Sequence, residues 1–197
     1  MLEPQPTTLR NEYVTLRPIA AEDAQGYLAI GQDSDIWTYL AGGPLNTLSA
    51  AQEWIAQRQT SAAKSGDVVF SIFDNATGTL AGSSSYLEVR TQHGGLEIGW
   101  TWYGTAFQRS HVNTASKLAL LTHAFEELQA NRVQLQTDAR NERSQRAIAR
   151  IGAQREGLLR QHKIYPDGYV RDSVLFALTS GDWEETKARL VQRLSNP

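Results

Sequence analysis

The sequence predicts a mixed α/β fold, in which a twisted, mostly antiparallel sheet of about seven strands is flanked by helices. Seven segments are predicted to be strands, three of them because apolar residues alternate with polar or small ones, and five further segments carry helix signals. Residues 96–137 read as a strand, a helix and another strand, which indicates a parallel crossover. Short turn sequences elsewhere join neighbouring strands and indicate antiparallel hairpins.

The first half of the chain is predicted to contain three strands and two helices. Pro18 ends the first strand, because proline lacks the N–H group that a sheet needs. Thr47 or Ser49 caps the second helix, and Ser65 and Gly66 stop it. The predicted bounds are 13–17, 68–73 and 78–88 for the strands, 20–30 for the first helix and about Lys64 for the end of the second.

The middle of the chain is predicted to hold the central strand and the helix that follows it. Large apolar residues alternate with small or polar ones, so one face of the strand is expected in the core. Those apolar residues are Leu96, Ile98, Trp100 and Trp102. Apolar residues then recur at three- or four-residue spacing, which predicts a helix from about Thr114 to Gln129 with Asn113 as its N-cap.

The last third of the chain is predicted to add three strands and two helices. Asn141 caps the first of these helices, and Gly152 closes it. A turn at residues 165–168, with proline and glycine, joins the last two strands. The predicted bounds are 132–137, 155–163 and 170–178 for the strands and 141–151 and 182–194 for the helices.

Composition indicates an ordinary globular protein. The chain has 197 residues, of which 41% are hydrophobic and 20% charged, and its net charge of −2 implies no general attraction to nucleic acid or membranes. We expect a single domain over residues 1–197, with residues 1–8 as a loose lead-in. The absence of cysteine excludes disulfides and thiolate chemistry. No apolar run or signal core is visible, so a cytoplasmic location is expected.

The start of the helix after the central strand is suited to binding an anion. A helix that begins just beyond a strand presents unbonded N–H groups and the positive end of its dipole. Phosphate commonly binds there. The segment Gln108-Arg-Ser-His-Val-Asn113 resembles the Q/R-x-x-G-x-G/A loop that wraps the coenzyme A pyrophosphate in GNAT N-acetyltransferases, with His111 and Asn113 at the usual glycine positions.

The resemblance extends over nearly the whole chain. Five segments in order are similar to the RimJ/RimL-like branch of ribosomal-protein N-terminal acetyltransferases, and they are 13–24, 78–89, 96–100, 141–162 and 165–178. This similarity implies a GNAT fold with an acetyl-CoA cleft between two splayed central strands. It also implies an acetyl-CoA-dependent N-acetyltransferase in which a bound amine attacks the thioester directly.

The resemblance assigns the acetyl-CoA contacts residue by residue. The diphosphate is expected at Gln108, Arg109, Ser110, His111, Val112, Asn113 and Thr114, mainly on their backbone N–H groups. The pantetheine arm is expected along the backbone at Thr101 and Trp102, with Asn141 in contact with it. His111 has the alternative of a solvated surface position, and Asn141 that of a simple helix cap.

Four further residues are candidates for the chemistry and for the acceptor. The resemblance places Ser144, one turn after Asn141, near the sulfur, where its hydroxyl is expected to give a proton to the leaving thiolate; the alternative is an ordinary helix serine without a catalytic role. Glu97 points off the core face of the central strand and is the first candidate to accept the amine proton; otherwise it is merely solvent-facing. The resemblance implies that the segment between the first two helices lines the acceptor pocket, so Trp37 and Tyr39 either contact the acceptor or pack a loop onto the core.

The acceptor is the least determined part of the prediction. The resemblance favours a protein N-terminal amine, and a small amine such as a polyamine or an antibiotic is the alternative. A non-catalytic acyl-CoA-binding sensor or scaffold is a second class of function. The histidines lack metal-ligand spacing, so no metal is expected. The basic run from Arg140 to Arg150 is interpreted as a solvated face, and the protein is expected to act as a monomer or homodimer.

Overall fold

A computed structural model describes residues 2–195 and shows an eight-stranded sheet. The strand order is β1-β2-β3-β4-β5-β6-β8-β7, and every neighbouring pair is antiparallel except β5 with β6. The predicted mixed α/β fold and its parallel crossover are confirmed, and β1 is an additional short strand. The strands are β1 (Leu9–Arg10), β2 (Val14–Pro18), β3 (Val68–Asp74), β4 (Leu80–Arg90), β5 (Gly95–Tyr103), β6 (Arg132–Asp138), β7 (Gln154–Ile164) and β8 (Val170–Thr179).

The helices begin and end largely where the sequence signals indicate. Thr47 accepts a hydrogen bond from the Ala50 N–H at 3.1 Å, and Gly66 ends that helix with a left-handed φ of +76°. A short helix that the sequence analysis did not predict begins after Asp33. The helices are α1 (Ala24–Ile30), α2 (Ser34–Trp37), α3 (Leu48–Ser65), α4 (His111–Thr122), α5 (Glu142–Ile151) and α6 (Trp183–Ser195).

The start of α4 corrects a prediction, because its N-cap is Ser110 and not Asn113. The Ser110 hydroxyl accepts from the Val112 N–H at 3.2 Å and donates to the Phe107 carbonyl at 2.7 Å. These bonds fix the loop and start the helix earlier, so Asn113 lies in the first turn. The helix continues beyond its α-helical part as a π-helical turn at His123–Glu127.

A β-bulge in β5 corrects the predicted alternation of this strand. Leu96 and Ile98 are buried in the main core as expected. Trp100 has a φ of +50°, and β4 residues two apart lie opposite β5 residues three apart at this point. Trp102 therefore faces the opposite side of the sheet from Leu96, and Trp100 is only partly buried, with the Arg58 guanidinium 4.0 Å from its ring centroid.

The two faces of the sheet have separate cores. Side chains of α4 and α6 pack on one face, together with residues of most of the strands. On the other face, α1 and α3 pack around a buried aromatic cluster. That cluster contains Tyr27, Trp37, Trp54 and Trp102, with ring centroids 4.8–6.3 Å apart. The bulge at Trp100 thus supplies β5 side chains to both cores.

The N-terminal segment is held more firmly than the expected loose lead-in. Residues 2–8 have no regular secondary structure, but Leu2 is buried in the main core. The Thr91 hydroxyl also donates to the Leu2 carbonyl at 3.0 Å.

Among residues 2–195, none of the helices combines the length and apolar composition that crossing a bilayer would require.

Candidate functional site

The site is a cleft that opens where β5 and β6 stop pairing. The two strands are paired only at Gly95 with Arg132, Leu96 with Val133 and Glu97 with Gln134. Both strands continue for several residues beyond the last pair. A cleft of about 720 Å³ fills the gap between them, and the predicted separation of the central strands is therefore confirmed. Its lining includes residues 97–103 of β5, residues 135–138 of β6 and the first turns of α4 and α5.

The loop and first turn of α4 form one mouth of the cleft. Five of the predicted phosphate-binding residues line it, and they are Gln108, Arg109, Ser110, Asn113 and Thr114. The Gln108 amide donates to the Tyr103 carbonyl at 3.2 Å and accepts from the Arg143 guanidinium at 2.9 Å, which ties β5 to α5 across the mouth. Beyond the N–H group that Ser110 caps, the first turn has N–H groups without intrahelical acceptors.

Two predicted phosphate contacts have side chains that do not line this cleft. The His111 Nε2 lies 2.8 Å from the Asp74 Oδ1 and next to the Tyr13 ring, so it faces β2 and β3. The Val112 side chain is fully buried in the main core. Because α4 begins at His111, the helical repeat turns these two side chains away and turns Asn113 and Thr114 toward the opening.

The replacement of two usual glycines does not strain the backbone here. Neither His111 nor Asn113 has a positive φ, since both lie in the regular first turn of α4. The left-handed residue of this loop is Arg109, with a φ of +60°. A glycine is therefore not needed at either position for the chain to follow this path.

The first turn of α5 supplies the opposite wall of the mouth. Asn141 is the N-cap, as predicted, and its side-chain oxygen accepts from the Ser144 N–H at 3.0 Å. Both residues line the cleft and are partly buried. The exposed arginines 143, 146 and 150 of this helix line it as well, so this mouth is rich in positive charge.

Glu97 lies at the inner end of the cleft, beside the last β5–β6 pair. It points away from the main core, as predicted, but it is only 4% exposed and is not solvent-facing. Its carboxylate accepts from the side-chain amides of Gln134 at 3.0 Å and Gln136 at 2.8 Å. Burial raises the pKa of this carboxyl above its usual value, while the nearby cations Lys163 and Arg171 act in the opposite direction.

The far wall of the cleft comes from the β7–β8 hairpin and the segment after α2. The Arg171 guanidinium donates to the Tyr165 hydroxyl at 2.9 Å, and this hydroxyl donates to the Tyr39 carbonyl at 3.2 Å. These three residues and Lys163 line the cleft. The hairpin is thereby joined to the segment that follows α2.

The structure separates the two aromatic residues predicted to contact the acceptor. Tyr39 lines the cleft, and its ring centroid lies 5.7 Å from the Arg140 guanidinium. Trp37 is only 5% exposed, belongs to the aromatic cluster and donates its indole N–H to the Gly31 carbonyl at 2.8 Å. Trp37 therefore packs α2 onto the core, which was the alternative interpretation of this residue.

Comparison with known families assigns this architecture. The family model described as an acetyltransferase (GNAT) domain matches residues 14–154, which include β2 to β6, α4, α5 and therefore both strands of the cleft. This chain belongs to the GNAT acetyltransferases. Membership confirms the predictions that it is an N-acetyltransferase and that acetyl-CoA is its acetyl donor.

Individual relatives of this GNAT chain agree with that assignment. A Bacillus subtilis (strain 168) protein named "Putative ribosomal N-acetyltransferase YdaF" is 30% identical over 182 residues, covering 90% of this chain and 97% of the relative. A solved acetyltransferase structure from T. thermophilus is 35% identical with a TM-score of 0.86, covering 97% and 98% of the two chains. A GCN5-related N-acetyltransferase from Brucella melitensis is 25% identical with a TM-score of 0.91, covering 98% and 88%.

The residues of this GNAT cleft fit acetyl-CoA by their chemistry. The helix start and the arginines at one mouth suit a diphosphate, and the strand edges of β5 and β6 beyond Glu97 suit an arm that contains amides. Thr101 and Trp102, predicted to meet that arm, both line the cleft. Within residues 2–195, no three acidic or histidine side chains are grouped so that they could hold a metal ion.

The sequence analysis missed several residues that line the GNAT cleft, and Lys117 is the one whose chemistry is most altered by burial. Lys117 of α4 is only 4% exposed, and its amine donates to the Thr101 hydroxyl at 2.9 Å. Burial lowers the pKa of this amine to about 7. The signal was present in the spacing, because Lys117 lies four residues before Leu121 and so belongs to the buried stripe of the helix.

Proposed function

We propose that this GNAT enzyme transfers the acetyl group of acetyl-CoA to a primary amine by direct attack, and that the amine is a protein N-terminus. This proposal rests on the position of Glu97, a buried carboxylate at the inner end of the cleft and beside the wall formed by the β7–β8 hairpin. A base in this place is close to where an amine entering from the acceptor side would meet the thioester.

Different residues of the cleft bind the diphosphate, position the pantetheine arm and border the acceptor. The first turn of α4, with Gln108 and Arg109, binds the diphosphate, and the backbone at Thr101 and Trp102 positions the arm. Asn141 supports the arm from α5. Trp37 has no part in this proposal, whereas Tyr39 borders the acceptor.

Proton transfer accompanies the exchange of bonds at the acetyl carbon. As the new C–N bond forms, Glu97 accepts the amine proton, directly or through water. As the C–S bond breaks, the Ser144 hydroxyl gives its proton to the departing sulfur and regains one from solvent. The products are the acetylated amine and coenzyme A, and the enzyme returns to its starting protonation once Glu97 releases its proton.

The pKa of the acceptor favours an N-terminal amine over a lysine. An α-amino group has a pKa of about 8, whereas that of lysine is about 10.4, so the former needs much less help to become neutral at pH 7. A carboxylate is a weak base even with a raised pKa, and it suits the first acceptor better. The Bacillus subtilis relative, named "Putative ribosomal N-acetyltransferase YdaF", supports the same choice.

The test follows free thiol release from acetyl-CoA with matched acceptors. One peptide has a free N-terminus and no lysine, its partner has a blocked N-terminus and one lysine, and spermidine represents small amines. We expect thiol release with the first peptide and acetylation at its N-terminus by mass spectrometry. Turnover only with the lysine peptide or spermidine would overturn the proposed acceptor. Tight acetyl-CoA binding without turnover of any amine would overturn the proposed reaction.

A further inference from the structure

Arg171 is a buried cation in the wall of the cleft. Arg171 is 8% exposed, and it lines the cleft near the β7–β8 turn. None of the ion pairs formed within residues 2–195 includes it. Its Nη1 donates to the Tyr165 hydroxyl at 2.9 Å, while its buried Nε has no hydrogen-bond partner in that part of the chain.

A second cation lies beside Arg171. Lys163 of β7 is the register partner of Arg171 in β8, so the two side chains share one face of the hairpin. Lys163 also lines the cleft and takes part in none of the ion pairs of residues 2–195. Both charges act on the Glu97 carboxyl, which places them in its electrostatic neighbourhood.

This arrangement is costly for the protein alone and favourable with a bound anion. A buried charge that forms no ion pair and a buried N–H group without an acceptor both lower the stability of the folded protein. A carboxylate would satisfy both, because the guanidinium presents parallel N–H groups that match its two oxygens.

If the proposed function holds, an anion at Arg171 would not be the diphosphate of acetyl-CoA. The diphosphate is assigned to the first turn of α4, whereas Arg171 and Lys163 belong to the wall built by the hairpin and Tyr39. Glu97 lies at the inner end of the cleft, where the amine is expected, and within electrostatic reach of both cations. A ligand that fills the hairpin side is therefore the acceptor, and its anionic group lies near its amine.

We propose that Arg171, assisted by Lys163, binds a carboxylate of the acceptor, so that the preferred substrate is an amine that carries a carboxylate close by. This inference rests on the proposed function. Two sources offer that chemistry: the acidic side chain at the start of a protein N-terminus, or the α-carboxylate of a free amino acid.

The experiment measures kcat/KM with acceptor pairs that differ only in a carboxylate. The first pair is a lysine-free, C-terminally amidated peptide that begins with Asp and the same peptide with Asn. The second pair is alanine and alaninamide. We expect the wild-type enzyme to prefer the carboxylate member of one pair by about 10–100-fold, in line with a buried charge-assisted bond. The pair that shows the preference identifies the source.

Variants assign that preference to Arg171. In Arg171→Gln the ratio of kcat/KM for the carboxylate acceptor to kcat/KM for its neutral partner should fall close to 1. Arg171→Lys should keep part of this preference because the charge remains. Tyr165→Phe removes the acceptor of the Arg171 guanidinium but leaves the charge of Arg171 in place, so this variant should keep the preference for the carboxylate acceptor. Arg160→Gln removes an exposed charge from the same hairpin and serves as the control for net charge. Thermal unfolding of each variant verifies folding.

The outcomes separate the two proposals. Turnover of neutral acceptors at rates equal to their carboxylate partners would overturn the role of Arg171 and leave the proposed reaction standing. An undiminished preference in Arg171→Gln would do the same. Absence of turnover with every acceptor, while acetyl-CoA still binds, would overturn both.

Discussion

The two ends of the cleft are built from different kinds of groups. At the end proposed to bind acetyl-CoA, the polar groups at the mouth are backbone N–H groups of α4 and exposed arginines such as Arg109 and Arg143. At the end proposed to bind the acceptor, they are the buried side chains of Glu97 and Arg171, each fixed by hydrogen bonds to neighbouring strands or hairpins. The first end depends on the path of the backbone and the second on the identity of individual residues.

That difference explains where the sequence can vary. His111 and Asn113 stand at positions that usually hold glycine, yet the helix starts without strain and His111 turns away from the cleft. A change at Glu97 or Arg171 would instead leave buried polar partners unsatisfied. We therefore expect substitutions at the acceptor end to have larger effects than those at the acetyl-CoA end.

The largest effect is expected for Glu97→Gln. The variant keeps the shape of the side chain but cannot accept the amine proton, so kcat should fall by roughly 10²–10³-fold. Acetyl-CoA affinity, measured by calorimetry, should change little. In the wild type, kcat/KM should fall at low pH as the carboxyl, whose pKa burial raises, becomes protonated. A variant as active as the wild type would refute the role of Glu97.

A large effect on stability is expected for Lys117→Met, which removes a buried charge from the middle of α4. The pKa of this amine is about 7 in the folded protein and 10.5 when unperturbed. Below pH 7 it is charged in both states, and the folded state bears the cost of burial. Between pH 7 and 10.5 the unfolded chain binds more protons, so wild-type stability rises with pH.

The variant removes that cost and should therefore be more stable than the wild type at pH 6, by roughly 1–3 kcal/mol. The difference between their free energies of unfolding should narrow by pH 9. Urea unfolding followed by tryptophan fluorescence at both pH values measures it. A gap that does not depend on pH, or a less stable variant at pH 6, would show that burial does not depress this pKa.

A moderate effect is expected for Ser144→Ala. Thiolates leave readily because the pKa of a thiol is about 8.5, so loss of the proton donor should lower kcat by only about tenfold. The Asn141 cap uses the Ser144 backbone N–H, and it should survive this change. Unchanged kcat, with turnover limited by chemistry, would remove Ser144 from the mechanism.

The smallest effect is expected for Arg109→Gln. This exposed side chain is one of several positive groups at the mouth, so the Kd for coenzyme A should rise by only about 2–5-fold. The dependence of this Kd on salt concentration should also weaken. His111→Gln is the matched control, because that side chain faces Asp74, and its Kd should equal that of the wild type. Equal losses in both variants would contradict the placement of His111.

Local signals predicted much of the fold because each is decided within a few residues. Thr47 and Asn141 cap their helices as expected, and Gly66 and Gly152 end theirs in left-handed conformations. Ser110 and Asn113 are both good N-caps by type. The choice between them depends on the hydrogen bond from Ser110 to the Phe107 carbonyl, which belongs to the folded loop.

Features that need distant partners could not be predicted from the sequence. Alternation in β5 is compatible with a straight strand, and the bulge at Trp100 is set by the register with β4. The burial of Glu97 depends on Gln134 and Gln136, which belong to β6. The isolation of Arg171 is visible only once the strands around it are placed.

The central claim is that acetyl-CoA binds along β5 and the start of α4, while the β7–β8 hairpin serves the acceptor. Hydrogen exchange of the backbone amides, with and without saturating coenzyme A, tests it most directly. We predict slower exchange at residues 99–103 and 111–114 and no change at residues 163–171. Protection of the hairpin instead of those two segments would contradict the account.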